Sequence, residues 1–296
     1  MNSSLDRLQV SLQYLLPQHL LSRLAGKITD SRQVWLKNFL IKWGISYFKI
    51  DLSDALEANP ANYHCFNDFF TRALLPQARP IDNDPHTISS PADGTLSQAG
   101  LILNKCIIQA KGRDFRVSTL LGITADTNDT DIRVDSPHQE NQFENGFFST
   151  IYLSPKDYHR VHMPLTGVLR ETRYIPGKLF SVNHRTTRHI EDLYAKNERL
   201  VCWFDTEFGT MAVILVGAML VAGIETVWHG QYSSRTDAST LFGTDGPQLA
   251  KGQELGRFKF GSTVIVLLPK EAKLAEPSHA GNFIKMGSPL AKLDES

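Results

Sequence analysis

Cysteine is scarce in this chain. Its 296 residues include three, Cys65, Cys106 and Cys202, an odd number, widely spaced and without a C-x-x-C pair. That excludes a disulfide framework and a thiolate zinc site, and it favours a reducing compartment. Net charge is missing as well, since 31 Lys and Arg balance 31 Asp and Glu. Without excess cation a protein has little hold on a phosphate backbone, so a nucleic-acid partner is excluded. Long hydrophobic runs are also absent. The longest, residues 211–224, counts fourteen positions with its glycines, whereas a helix crossing lipid needs about 20. Its β-branched residues and Gly217 make it read as two buried strands. The opening MNSSLDRLQV lacks the apolar core and small-residue cleavage site of a signal peptide. There are no internal repeats or low-complexity tracts. Apolar residues at 42% and charged residues at 21% describe an ordinary globular chain, long enough to bury a sizeable core.

The zero average hides an uneven spread. Residues 1–50 contain Arg7, Arg23, Lys27, Arg32, Lys37, Lys42 and Lys49 against only Asp6 and Asp30. A basic head therefore precedes an acidic body, 51–296, of equal and opposite charge. The head reads as helices. Leu8, Leu12, Leu15 and Leu16 recur at helical spacing, Pro17 interrupts, and Leu20, Leu21 and Leu24 follow, with Gly26 a stop signal. Trp35, Leu36, Phe39, Leu40, Trp43 and Tyr47 then repeat three or four apart among lysines. Such stripes either pack on a core or lie in a lipid headgroup layer.

From about residue 88 the texture is that of short strands between turn signals: FFSTIYLS, RLVCWFD, MAVILVG, ETVWHG, LGRFKF and STVIVLLP. The expected class is α+β, with N-terminal amphipathic helices followed by a β-rich, barrel-sandwich-like core. Residues 125–145 are polar and acidic, and Asp126, Asn128 and Asp131 lack the glycine and closing glutamate of a calcium loop. A solvated loop is the reading there.

Three places can carry chemistry. In Ser154-Pro-Lys-Asp-Tyr-His-Arg-Val-His-Met-Pro164, Ser154, Pro155 and Asp157 form a helix-start pattern. On the short helical turn it predicts, His159 and His162 share one side. They are placed to divide proton transfers; metal is disfavoured because no Glu or Cys stands at ligand spacing. In Ser90-Pro-Ala-Asp-Gly-Thr95, Asp93 is either turn chemistry or a carboxylate that orients a histidine. In Phe260-Gly261-Ser262-Thr263, a Gly-Ser pair interrupts an apolar strand pattern. It is a strand kink, or a site where glycine leaves its carbonyl uncrowded for attack by the next hydroxyl.

Together the segments PADG (91–94), YLSPKDYHRVHMP (152–164), PGKLFSVN (176–183), FDTEFG (204–209), IETVW (224–228) and KGQELGRFKFGSTV (251–264) resemble the pyruvoyl-dependent phosphatidylserine decarboxylases of bacterial type. They run in family order and span nearly the whole chain. The resemblance implies a proenzyme that cuts itself between Gly261 and Ser262. His162, oriented by Asp93, would act as general base on the Ser262 hydroxyl, which attacks the Gly261 carbonyl to give an ester. Elimination and hydrolysis, with loss of ammonia, would turn Ser262 into a covalent pyruvoyl group. The products would be a β chain, 1–261, and an α chain, 262–296, held as a heterodimer that is open to further dimerisation.

The implied reaction is decarboxylation of phosphatidylserine to phosphatidylethanolamine in phospholipid biosynthesis. A Schiff base between the pyruvoyl group and the substrate amine would serve as electron sink. His159 is the candidate donor of the product proton, as an imidazole can donate near neutral pH. The implied location is peripheral, on the cytoplasmic side of the cell membrane, with the basic head on anionic lipid. The sequence departs from the family pattern at Phe260, where leucine is usual, in a longer 125–145 loop and in a short tail after Leu290. Three rival readings are a serine hydrolase, which lacks its G-x-S-x-G elbow here, a carrier module prompted by Ile284-Lys285-Met286-Gly287, and a membrane scaffold. The last leaves Asp93, His162 and Ser262 without a task.

Overall fold

Helices form where the leucine spacing calls for them, with apolar stripes turned outward. The computed structural model describes residues 10–110, 113–123, 140–183, 185–219, 223–232, 239–259, 262–276 and 278–293. After helical residues 10–15 come two longer helices, Gln18–Thr29 and Val34–Phe48. Pro17 stands just ahead of the first, where its missing N–H is no loss. Gly26 does not end that helix. It lies inside it on the buried face, and Asp30 closes the last turn by donating its N–H to the Gly26 carbonyl at 2.9 Å.

The second helix buries Lys37, Ile41 and Gly44. Ile41 packs with Phe66, Phe69 and Phe70, which belong to the short helix Phe66–Phe70. A Cβ on Gly44 would sit 2.8 Å from the Phe66 ring, so the close approach requires glycine. The opposite face bears Trp35, Phe39, Trp43 and Tyr47, one residue per turn, 45–73% exposed. On the first helix Leu20, Leu24 and Ile28 also face outward. Surface helices normally turn their apolar stripe inward; these present one to the outside. No described helix is long and apolar enough to cross a membrane.

Polar contacts fix the head to the body. The Gln18 side-chain oxygen accepts from the Leu179 N–H at 2.7 Å, and that of Gln13 accepts from the Ser181 N–H at 3.0 Å. His19 Nε2 donates to the Gly177 carbonyl at 2.9 Å, and Tyr14 packs on Phe180.

The body is built on a nine-stranded antiparallel sheet. Its central strand, Ser262–Leu268, lies between Phe147–Leu153, with seven paired residues, and Gly209–Val216, with five. Val264, Val266 and Leu268 enter one apolar cluster, while Ile265 and Leu267 enter the other on the opposite face. Burial on both faces explains why this strand reads as an unbroken apolar run rather than an alternating one. A smaller sheet joins Gly230–Gln231, Ile224–Thr226, Glu254–Phe258 and Arg160–His162, and a third joins Thr87–Ser89, Pro289–Leu293 and Ala272–Leu274. The described strands follow open paths and do not close into a barrel. The class is α+β, with N-terminal helices and a β-rich core, as expected.

Two divisions of the chain matter for the site. Residues 211–224 split between Gly209–Val216 in the large sheet and Ile224–Thr226 in the small one. LGRFKFGSTVIVLLP also splits, into Glu254–Phe258 of the small sheet and Ser262–Leu268 of the large. Phe260 and Gly261, between them, lie outside the described residues, as do residues 124–139 of the acidic stretch.

Candidate active site

Ser262 opens the central strand at full burial, paired in register with Leu153. Its hydroxyl has no hydrogen-bond partner among the described residues, and the Oγ1 of neighbouring Thr263 has none either. A buried hydroxyl without a partner forfeits roughly 1–3 kcal/mol. Nothing in the packing of an apolar strand calls for it.

The Ser154–Pro164 stretch is not a helix. It makes a turn and then the strand Arg160–His162, which pairs with Glu254–Phe258. The helix-start contacts do form: the Ser154 N–H donates to Asp157 Oδ2 at 2.7 Å, and the Asp157 N–H to the Ser154 carbonyl at 2.9 Å. They close a single turn, because the ladder to Glu254–Phe258 claims the backbone beyond it. The two histidines therefore do not share a helix face. His159 packs on Phe70, ring centres 4.1 Å apart, and His162 lies against Tyr158.

Each imidazole has its tautomer set by a carbonyl, which can only accept. His159 Nδ1 donates to the Asp157 carbonyl at 2.9 Å, leaving Nε2 as a bare lone pair, fully buried and unpartnered among the described residues. Burial pushes its pKa down to about 3, so at neutral pH the ring is uncharged. His162 Nδ1 donates to the Gly252 carbonyl at 2.8 Å, and its Nε2 accepts from the Tyr158 hydroxyl at 3.0 Å. Desolvation lowers the His162 pKa too, opposed by that carbonyl and by the charges of Glu254 and Asp93. Tyr158 remains a proton donor, since burial pushes its pKa up to about 12.

Asp93 sits in the turn between Thr87–Ser89 and Gly94–Leu101. Gly94 follows it because a Cβ there would meet the Tyr152 carbonyl oxygen at 2.4 Å. The turn lies beside His162, whose N–H donates to the Pro91 carbonyl at 2.8 Å. The Asp93 carboxylate is held by other groups: Arg79 Nε and the Met286 N–H each donate to Oδ1 at 2.8 Å, and Arg79 Nη2 donates to Oδ2. Asp93 thus acts on His162 through space rather than through a hydrogen bond. Removing one partner from so buried a pair costs about 3–5 kcal/mol. The Ile284-Lys285-Met286-Gly287 stretch finds its use here. Its backbone supplies the Met286 donor, and the Gly287 N–H donates to the Ser90 carbonyl.

Beside the head of the central strand lies a cavity of about 460 Å³, with Thr95, Gln98, Tyr152, Val182, Asn183 and Arg188 in its wall. Tyr152 is the register partner of both Thr95 and Thr263. The segment that supplies Val182 and Asn183 continues from 177–181, to which the N-terminal helices are hydrogen-bonded. Among the described residues no group of three His, Cys, Asp or Glu is placed to hold a metal ion.

Reading the sequence alone misses Arg79, Tyr158, Gly252 and Met286. Tyr158 carries a faint signal, four residues before His162 inside the same motif. The others are joined to the site only by the fold.

The Phosphatidylserine decarboxylase family model matches residues 66–292, and a second model, described as PSD, matches residues 8–49. A phosphatidylserine decarboxylase proenzyme of Pseudomonas putida (strain F1) is 50% identical over 292 residues, covering 97% of this chain and 98% of the relative. Proteins of the same name from Bordetella avium, 49% identical over 290 residues, and from a Shewanella species, 45% over 298 residues, cover 97% and 98% of this chain and 95% and 99% of their own lengths.

Proposed function

The chain belongs to the phosphatidylserine decarboxylase family, and from that premise we propose that it is a proenzyme activated by self-cleavage at Gly261-Ser262. The observation that carries this reading is the Ser262 hydroxyl, fully buried and without a partner among the described residues at the head of the central strand. Such a group suits a residue destined to attack its own preceding peptide and then to become a pyruvoyl group. His162 is the base for that attack, through the Nε2 that now accepts from Tyr158. Asp93 supports the imidazolium that forms through its charge. Cleavage would give chains 1–261 and 262–296. They would stay together as a heterodimer, because the Ser262 strand is paired on both sides and Met286 binds Asp93 across the cut.

The substrate is phosphatidylserine and the product phosphatidylethanolamine, as part of phospholipid biosynthesis. A pyruvoyl ketone at position 262 supplies the electron sink that lets CO₂ leave. His159 handles the proton. The reaction takes up one proton from water; with Nε2 bare at neutral pH, His159 accepts it only once the anionic substrate is in place to raise its proton affinity. It then returns that proton to the carbon that has lost CO₂. Residues 1–50 form the membrane-association region, placing the catalytic domain 51–296 on the cytoplasmic face of the cell membrane. Support comes from the outward aromatic stripe among lysines.

The test is reductive trapping. Borohydride added with phosphatidylserine is expected to attach the substrate to the small chain and to nothing in the Ser262→Ala protein. A substrate adduct absent from the cut protein, or present on Ser262→Ala, would refute the reading.

A further inference from the structure

Asp93 is expected to serve His162, yet its strongest contacts are with Arg79. Nε and Nη2 of the guanidinium grip both carboxylate oxygens, and Nη1 donates to Asp54 Oδ2 and to the Ala78 carbonyl, both at 2.8 Å. Each guanidinium nitrogen therefore has an acceptor, and both side chains of the inner pair are more than nine-tenths buried. The Met286 N–H adds a third donor to Asp93. We propose that Arg79 is the positioning residue of self-cleavage. It holds the Asp93 carboxylate in one orientation beside His162, so that its charge is in place when His162 takes the Ser262 proton.

The geometry separates Arg79 from the other cation near this carboxylate. Arg72 is the more deeply buried, but its one hydrogen bond to an acceptor among the described residues is to the Lys156 carbonyl, at 3.4 Å, and its Nε and Nη1 have no partner among them. Arg79 alone of the two forms a fork on Asp93. A fork fixes rotation as well as charge, since two parallel N–H donors match two carboxylate oxygens. Lysine restores the charge and not the fork. The turn itself is held by the His162 N–H on the Pro91 carbonyl and by the Gly287 N–H on that of Ser90. The Asp93 carboxylate makes no hydrogen bond to His162 among the described residues, so Arg79 and the Met286 N–H are what orient it.

The inference rests on the self-cleavage reading, and the experiment keeps the two apart. Precursors bearing Arg79→Met or Arg79→Lys are followed by intact mass during maturation. Thermal midpoints are measured in parallel on the same substitutions in the uncut Ser262→Ala background. Arg79→Met is expected to slow cleavage on the order of a hundredfold, the scale of a lost acid–base contribution. Arg79→Lys is expected to recover to within about tenfold of the unsubstituted rate, charge being restored without the fork. Equal cleavage of Arg79→Met and the unsubstituted precursor would overturn the proposal. So would losses in both variants that simply follow their thermal midpoints. If Arg79→Met does not fold, folded Arg79→Lys decides: slowed cleavage supports the role and an unsubstituted rate overturns it. A precursor that never cuts, even unsubstituted, sinks the self-cleavage reading itself.

Discussion

Trp35, Phe39, Trp43 and Tyr47 stand exposed on the N-terminal head, whereas Ser262, Thr263 and His159 keep polar atoms without partners among the described residues inside the body. Each region departs from ordinary burial, in opposite directions. Between them the large sheet buries apolar residues on both faces, and Phe66, Phe69 and Phe70 are sealed beneath the second helix. Other buried polar atoms, Arg72 Nε and Ser149 Oγ among them, also lack partners among the described residues, so it is the chemistry of each place that sets these two apart. An outward aromatic stripe among cations suits a lipid surface. An orphaned hydroxyl and imidazole suit a reaction that will use them.

The largest effect is expected at His159. His159→Ala is expected to leave self-cleavage intact and to reduce decarboxylation by about 10²–10⁴-fold, the usual range for a lost acid–base group. Intact mass and product assay on one sample check both halves; loss of cleavage together with activity would merge two roles that the geometry keeps apart.

A smaller effect separates head from core. Replacing Trp35, Phe39 and Trp43 together by Ser is expected to weaken binding to anionic vesicles roughly ten- to a hundredfold, as inserted aromatic area is lost. The thermal midpoint should barely move, because these rings are exposed. Phe69→Ala should do the reverse, costing about 3–5 kcal/mol of stability while the folded fraction binds vesicles normally. Vesicle binding undiminished in the triple variant would return the stripe to a structural role.

The smallest effect is in pH. An unfolded histidine titrates near 6.5, and the folded values of His159 and His162 lie lower. Below pH 6.5 the unfolded chain binds more protons, so stability is complete above that pH and is lost as pH falls towards about 3, where His159 titrates in the fold. The slope is at most about 1.4 kcal/mol per pH unit for each histidine. Denaturant unfolding of the Ser262→Ala precursor at pH 7 and pH 5 should show this loss, and His159→Gln should reduce it. An unchanged slope would mean that His159 is not held neutral by burial.

Much of the fold is legible in the sequence, for identifiable reasons. The 147–153, 199–206 and 262–268 strands announce themselves because burial on both faces leaves continuous apolar runs. Leucine and aromatic spacing locates the two helices but not the direction their stripes face, which depends on Phe66–Phe70 arriving from elsewhere in the chain. Local signals mislead where long-range pairing wins. Ser154 and Asp157 form their cap, yet the ladder from Glu254–Phe258 draws residues 160–162 into a strand. Gly26 looks like a stop and is instead a buried contact. Asp93, His159, His162 and Ser262 can be picked out by their motifs. Arg79 and Met286 cannot, because their roles exist only once residues 14 and 193 positions apart meet at Asp93.

On the self-cleavage reading, Ser262 is buried without a partner because it will cut its own chain. Intact-mass measurement of purified protein, unsubstituted and Ser262→Ala, addresses it most directly. Two chains divided between Gly261 and Ser262, the smaller one beginning with a blocked, pyruvoyl terminus, are expected from the unsubstituted sequence. One full-length chain is expected from Ser262→Ala. A single uncut chain from a decarboxylase-active unsubstituted protein, or cleavage that persists in Ser262→Ala, would contradict it.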